Sequence, residues 1–496
     1  MTTFARSAAL SALHQRVIAA PNGLVALAVC LMAAYVIGVL PSIGQPLLET
    51  HAHRQTQTAY TAVLYAERGI DLFRPPLPVL GPPGYLPQEF PIVQALGALI
   101  IEIGVPADMA MRLTGLGSFL ICASFVFLLA RRLVGGLSAL VALAAFIFNP
   151  LAWVYGRSST IEYLAAGGGV AFLYFAIRWQ DDQRLGNWIG ALVAAAMAVL
   201  VKITTSGFYL IPALFWRSRD GRWGFQRAPV WALVAITVLV GVTWSAHAEA
   251  VREESPAAAF LSMRNQLAWF FGSLATRFDP GSWRVPLVAL LALSGFALPF
   301  WVLLASRWAR HRRHTPFLFT TFSLAAVMPL ILFNLYAVHD YYWIAAAPVI
   351  ALIVGAGAAS LLARWRNRLA PRAAGALLAA WLATVVGMHA SWTIIYGVPG
   401  EQARAEAIAG FIAAHSDPQD WVVLRGWGWN TTFFYYARRQ GIAVPEPRTL
   451  DSGLVGGQDL SEVDLQSILS DPILGPFIVC DHEGSCDVQA SEAPDG

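Results

Sequence analysis

Lysine is nearly absent from this chain: of its 33 Lys and Arg residues, Lys202 alone is a lysine. Charge of either sign is scarce, since Asp, Glu, Lys and Arg make up 13% of 496 residues while 57% are hydrophobic. Mean hydropathy is +0.56. That shortage excludes a soluble globular protein, because burial grows too slowly with chain length to hide so much apolar surface. Also missing are a Gly-rich nucleotide-binding loop, an internal repeat and a low-complexity run, and the net charge of +3 is spread loop by loop. Nothing in this pattern implies a nucleic-acid partner. Cysteine is sparse too. Cys30 and Cys122 lie in apolar stretches, where a thiol is an ordinary small hydrophobe. Cys480 and Cys486, in "CDHEGSC", read as a small disulfide if their compartment is oxidising, with an incomplete zinc site through His482 as the alternative.

What the chain does have is apolar blocks of about 20 residues, the length that spans a bilayer as a helix. Spans are expected near 22–42, 110–130, 137–154, 159–178, 186–201, 203–216, 229–246, 284–306, 316–338, 341–363 and 373–393. Arg131 and Arg132, Arg178 and Arg184, "RSRDGRWGFQR" (217–227), "RWARHRR" (307–313) and "RWRNR" (364–368) then share one face, which the positive-inside rule makes cytoplasmic. The opposite face carries a first loop at 43–109, Tyr155–Ser158, His247–Trp283, His339–Tyr342 and everything after 393. The first block lacks a small-residue cleavage site and reads as a retained span. The expected fold is an all-α polytopic membrane protein of about eleven spans. It divides into a membrane domain at 1–393 and a small soluble α/β domain at 394–496 on the outer side. In the latter, 401–415 and 429–441 read as helices, and 420–426 and 475–481 as strands.

The first loop is not a short connector. It opens with "ETHAHRQTQTA" (49–59), a polar cluster leading into an expected helix at 57–68. The crossing "RPPLPVLGPPGYLPQEFP" (74–91) holds seven prolines, which fix φ and stiffen it. "FPIVQALGALIIEIG" (90–104) is too short to span and reads as an interfacial helix. Such a loop suits a lid or a substrate platform. Lys202, in "VLVKITTSG", sits between two apolar segments, and an ammonium in hydrocarbon costs roughly 2.5–3.5 kcal/mol, so a partner is expected. A compact cation beside Thr204 and Thr205 suits a phosphate; the plainer alternative is a lysine snorkelling to water.

The order of "HRQTQTA…ERG.DL", the Pro-rich crossing, "EFPIVQALGALI", "GRSSTIEYLAAGG", "VKITTSGFYLIPAL" and "NLYAVHDYYWIAAAP" resembles the polyprenyl-phosphate-dependent GT-C glycosyltransferases. The likeness is to their ArnT-like and protein O-mannosyltransferase-like branch, with its bacterial Rgt-like members, and covers roughly residues 20–390. It implies an inverting hexosyl- or pentosyltransferase of the bacterial inner membrane, with its soluble domain periplasmic. The implied donor is a polyprenyl-phosphate sugar, and the acceptor an envelope glycan such as lipopolysaccharide, a lipid or a protein. Three requirements follow: a carboxylate to take the acceptor's proton, cations to stabilise the departing phosphate, and a groove for the lipid.

Residue by residue, the match exposes a departure. Where the family has an acidic pair in the first loop, this chain has Arg54 and Gln55, and Gln57 cannot act as a base. Glu49 is then the first candidate base, with a loop-capping role as its alternative. Glu89, in "QEFP", matches the family's "EKPP"-like glutamate and is the second. Arg54, Gln57 and Lys202 are candidates for holding substrate or phosphate, as are His339 and Tyr342 of the "HDYY" turn. Arg157 either joins them or pairs with Glu162. No cofactor is required. A divalent metal on His51 and His53, whose spacing on an extended segment would point both rings one way, is an option, with His247 near the place of a contacting histidine in ArnT-like relatives. Two other classes remain alongside: a polyprenyl-linked lipid transporter or flippase, which should show charges through the membrane interior, and an inactive lipid-phosphate-binding subunit.

Overall fold

The computed structural model describes residues 21–255, 258, 261–310, 312–368, 379–387, 399–425, 427, 430–444, 474–480 and 485–489. Helices dominate. Asn22–Ser42, Ala107–Leu133 and Ala228–Arg252 are long and apolar enough to cross a membrane, and Pro280–Ser294 with Leu298–Ala309 would add a fourth crossing if the pair, bent by 58°, acts as one. Eleven uninterrupted spans are not found among the described residues, because polar and special-backbone positions cut the apolar blocks. Asn149 caps a new helix at Pro150–Tyr155 by accepting from the Ala152 N–H at 2.9 Å. Gly295 and Phe296 both have positive φ and bend the 284–309 segment. The expected 203–216 span is only a four-residue turn, Ile203–Ser206, followed by a 3₁₀ stretch, Ile211–Phe215. Most of the 373–393 block lies outside the described residues.

One large core joins the helices Ala107–Leu133, Gly136–Ile147, Glu162–Asp182 and Ala347–Arg368. Without a hydrophobic drive between helices in lipid, close approach of small residues must supply the contact. Gly168 shows it: a Cβ there would meet the Ala194 carbonyl oxygen at 2.8 Å. Gly115 does the same near the site. Its Cβ would lie 1.9 Å from the Ser158 carbonyl oxygen, so the 107–133 helix presses directly on the turn that carries Arg157.

The polar cluster of the first loop is itself helical. The helix runs Ala52–Arg68, five residues earlier than the sequence suggests. Thr56, Thr58 and Thr61 turn their hydroxyls back onto the carbonyls of Ala52, Arg54 and Gln57, which satisfies them inside the helix and lets residues 54–65 be buried. The second loop helix, Ile92–Glu102, starts after Pro91 and packs against it.

Beyond the bundle lies a four-stranded sheet of order β2-β1-β3-β4. β1 (Trp421–Arg425) pairs in parallel with β2 (Gln440–Val444) and β3 (Leu474–Cys480), and β4 (Cys486–Gln489) runs antiparallel to β3. Cys480 and Cys486 face each other in that register and are disulfide-bonded, as the sequence suggests. Residues 481–484, including His482, lie outside the described set. The aromatic helix ends earlier than expected, at Ala437. Arg438 takes a left-handed backbone (φ 54°), and 440–444 continues as strand β2. This unit shares one apolar core with the first loop, Leu47, Tyr60, Val79 and Leu86 meeting Ile408, Val422 and Phe434. Leu80 of the Pro-rich crossing even forms a β-bridge to Ile442 on the edge of β2.

Candidate active site

A cavity of about 410 Å³ is lined by the first-loop helix, the end of the Pro-rich crossing, Ile161, the break at Lys202, the end of the Ala228–Arg252 helix, residues 261–270 and the turn after Val338. The break exists because the helix Leu185–Val201 stops at Lys202, whose backbone is extended (φ −158°, ψ 98°) before Ile203 restarts it. That irregular backbone turns the ammonium inward, onto Glu162 at the start of its helix. The partner expected for this lysine is thus a carboxylate. The ammonium also lies 3.9 Å from the ring centre of Tyr342 and 5.0 Å from that of Tyr341, so two aromatic faces share the charge.

A second ion pair faces it. Arg54 donates through Nη2 to Glu89 Oε1 at 2.5 Å, and through Nη1 to Gln57 at 3.1 Å and Gln88 at 3.4 Å. Its guanidinium fork, expected to grip phosphate, is therefore committed to the protein. Burial alone would weaken the Arg54 charge, but the carboxylates of Glu89 and then Glu162 more than restore it. Glu89, Arg54 and Lys202 line the wall, and the buried Glu162 lies behind it as the partner of Lys202. Around this row, Val199, Leu200, Trp244, Trp269 and Phe270 provide an apolar wall, and His53 and His339 complete the polar side. Burial, then the neighbours His51 and Arg54, push His53 down to about 4; burial, then His51, His53 and Lys202, push His339 down to about 3. Both imidazoles are neutral at pH 7.

Glu49 belongs to a different cluster and does not line the cavity. Arg157 grips it in a fork, at 2.7 and 2.8 Å, and Arg112 adds a contact at 3.2 Å. Arg112 is fully buried and also donates to the carbonyls of Gln45 and Pro46, at 2.9 and 2.6 Å. Burial pushes the Glu49 carboxyl up, but the two guanidiniums outweigh it and hold it below the ordinary carboxylate range. The alternative of an Arg157–Glu162 pair is not what forms: Arg157 pairs with Glu49, and Glu162 with Lys202. Arg112 was legible as a charge inside an apolar helix, which demands a buried partner.

The histidines do not gather around a metal. His51 sits at the helix start with positive φ (57°) and meets Asp340 at 3.1 Å, where the Tyr155 hydroxyl also donates at 2.5 Å. The segment is helical and not extended, so the rings of His51 and His53 lie 5.9 Å apart at 75°. His247 is elsewhere, bonded to the Phe73 carbonyl at 2.8 Å. Among the described residues no group of three or more His, Cys, Asp or Glu is placed to hold a metal ion. Of the residues singled out in the sequence, the structure brings Arg54, Gln57, Glu89, Lys202, His53, His339 and Tyr342 to one cavity, and leaves Glu49, His51, Arg157 and His247 outside its lining. Glu162 and Trp244 carry more of the site than the sequence suggested.

The family of dolichyl-phosphate-mannose-protein mannosyltransferases matches residues 87–247. No curated protein sequence matches the chain. Solved structures are similar at low identity. ArnT from Cupriavidus metallidurans bound to undecaprenyl phosphate superposes with a TM-score of 0.64 at 16% identity, over 93% of each chain. Its apo state gives 0.59 at 15%, over 91% of this chain and 92% of that one. The apo oligosaccharyltransferase of Archaeoglobus fulgidus gives 0.59 at 12%, over 85% of this chain and 64% of that one. Helical bundle, structured first loop and appended sheet together have the GT-C fold, of the ArnT-like type.

Proposed function

We propose that this chain is a polyprenyl-phosphate-sugar-dependent glycosyltransferase, which moves a hexose or pentose with inversion onto a hydroxyl of an envelope glycan, lipid or protein. The observation that carries the reading is the meeting of Glu89, Arg54 and Lys202, the last backed by Glu162, on a cavity that is polar on one wall and apolar on the other. Fold likeness to an ArnT bound to undecaprenyl phosphate, and the mannosyltransferase match across 87–247, support the donor class. The Arg-rich loops and the disulfide in the appended sheet support a bacterial inner-membrane protein with the cavity on the periplasmic side.

In this reading Glu89 is the base. Arg54 engages Oε1 and orients the carboxylate, and Oε2 takes the acceptor proton as the hydroxyl oxygen attacks the anomeric carbon. Lys202 answers the charge that builds on the leaving phosphate as the sugar–oxygen bond breaks, with Tyr342 and His339 beside it. The lipid tail lies along Val199, Leu200, Trp269 and Phe270. Glu49 serves structure: it ties the start of the loop to Arg112 and Arg157.

The test supplies purified protein in lipid with a panel of polyprenyl-phosphoryl sugars and a cell-envelope extract, and reads free polyprenyl phosphate by mass spectrometry. Release from one donor, lost in Glu89→Gln and kept in a folded Glu49→Gln, supports the reading. Lipid phosphate that binds but is never released from any donor overturns it.

A further inference from the structure

Seven prolines in 74–91 leave that crossing short of N–H donors while every carbonyl remains to be satisfied. The end of the Ala228–Arg252 helix and the residues just past it supply the missing donors. Trp244 Nε1 donates to the Gln88 carbonyl at 3.3 Å, Arg252 Nη1 to Pro87 at 2.7 Å, and Ser255 Oγ to Leu80 at 3.0 Å. His247 Nε2 reaches the Phe73 carbonyl. Two of these bonds hold the two residues immediately before Glu89, and on its other side the Phe90 N–H donates to the Leu200 carbonyl at 2.9 Å. Arg252 is buried, and Glu249 orients its guanidinium at 2.5 Å. From the far side the edge of β2 grips the tip of the crossing: Gly441 and Ala443 donate to Pro78 and Val79, at 2.9 and 3.0 Å, and Gly81 donates back to Gly441 at 3.1 Å.

We infer that Arg252 and Trp244 are positioning residues for Glu89, and that β2 of the appended sheet closes the same clamp from the opposite side. The inference rests on the reading of Glu89 as the base. A carboxylate on a loop gains accuracy only from groups that fix its backbone, and a misplacement of about 1 Å can cost on the order of 10²-fold in rate. With its immediate neighbours tied to two helices, and the tip of the crossing tied to a strand, Glu89 has that fixation. The appended sheet is then a working part of the transfer site.

The experiment uses the full chain in lipid and whichever polyprenyl-phosphoryl sugar the parent turns over. Arg252→Lys, Trp244→Phe and Ala443→Pro are compared with the parent and with Glu89→Gln for kcat, KM and undecaprenyl-phosphate binding. Ala443→Pro removes the N–H that faces Val79 and none that pairs with β1, and because it also adds a ring at a buried position, its melting temperature is read beside kcat. Trp244→Phe keeps the ring against Phe90 and loses the donor, and carries the test if Arg252→Lys fails to accumulate. The expected result is kcat lower by roughly 10- to 100-fold in all three, with donor KM and undecaprenyl-phosphate binding held within about twofold in Ala443→Pro, whose residue lies outside the cavity lining that Trp244 and Arg252 share. Parent-like kcat in all three, beside an inactive Glu89→Gln, overturns the clamp. A rise in KM alone at unchanged kcat also overturns it. A fully active Glu89→Gln removes instead the base assignment beneath it.

Discussion

Two clusters in the first loop look alike on paper and behave differently in space. Each sets a first-loop glutamate against arginine. At Glu49, two guanidiniums close on one carboxylate, from the Ala107–Leu133 helix and from the turn at Arg157, and none of the three lines the 410 Å³ cavity. At Glu89, one guanidinium binds one carboxylate oxygen, and the pair faces 410 Å³ of open space with Glu162 and Lys202 beyond it. The difference is access. A carboxylate whose oxygens are both saturated by fixed cations is a latch, while one with a single partner beside a cavity can exchange a proton with a ligand.

The sharpest way to break this comparison is to neutralise each glutamate in turn. Glu89→Gln keeps the shape of the site and removes the proton acceptor, so the transfer rate should fall by roughly 10²- to 10⁴-fold, the range for losing a positioned base. Its melting temperature should stay close to the parent's. Glu49→Gln should show the reverse. It leaves Arg112 and Arg157 buried against a neutral amide, and breaking a buried pair by removing one partner costs about 3–5 kcal/mol. Yield and melting temperature should drop while kcat of the folded fraction stays near the parent's. Equal loss of rate in the two would mean that the clusters are not distinct in role.

A smaller effect sharpens the Lys202 side of the cavity. Lys202→Ala should lower kcat, because the charge building on the leaving phosphate goes unanswered; it should raise the donor KM by roughly tenfold, about 1.4 kcal/mol of lost phosphate attraction, and should also destabilise the chain by stranding the Glu162 carboxylate. Adding Glu162→Gln should recover the melting temperature without recovering the KM, because the double change removes the buried unpaired charge but not the need for a cation. Recovery of both in the double variant would make the pair structural only.

The sequence made the class of fold legible and the pairing of charges much less so. Apolar blocks, Arg-rich turns and the Pro-rich crossing are local signals, and they located the first loop, the appended α/β unit and the Cys480–Cys486 bridge. Whether Arg157 meets Glu162 or Glu49 depends on which face of a turn packs on Gly115, a long-range fact that no spacing encodes. The helical start at Ala52 was hidden for a related reason: histidine and threonine favour a helix only weakly by propensity, and tertiary burial overrode that. Lys202 was visible as a cation needing a partner, but the partner lies 40 residues earlier. The donors from Trp244 and Arg252 were invisible, since a hydrogen bond to a distant carbonyl leaves no trace in the pattern of either segment.

Acid should separate the two clusters through the protons they refuse. His53 takes a proton near 6.5 when unfolded but only near 4 in the folded chain, where burial, then the neighbours His51 and Arg54, oppose it. Between those values the unfolded state binds the extra proton, so stability falls as the pH drops from about 6.5 to about 4, and His339 extends the same trend toward about 3. Glu49 has the same sign at lower pH: its contribution is complete above its ordinary value of 4.5 and is lost only as pH falls through a folded value below that. The cavity side of the loop should therefore weaken first and the Glu49 latch last. Melting temperatures recorded from pH 7.5 to pH 4 should decline in the parent, and His53→Gln should flatten the upper part of that decline while Glu49→Gln leaves its slope unchanged. A parent curve that stays level down to pH 4.5 would mean that these imidazoles accept protons in the folded chain at their ordinary pH.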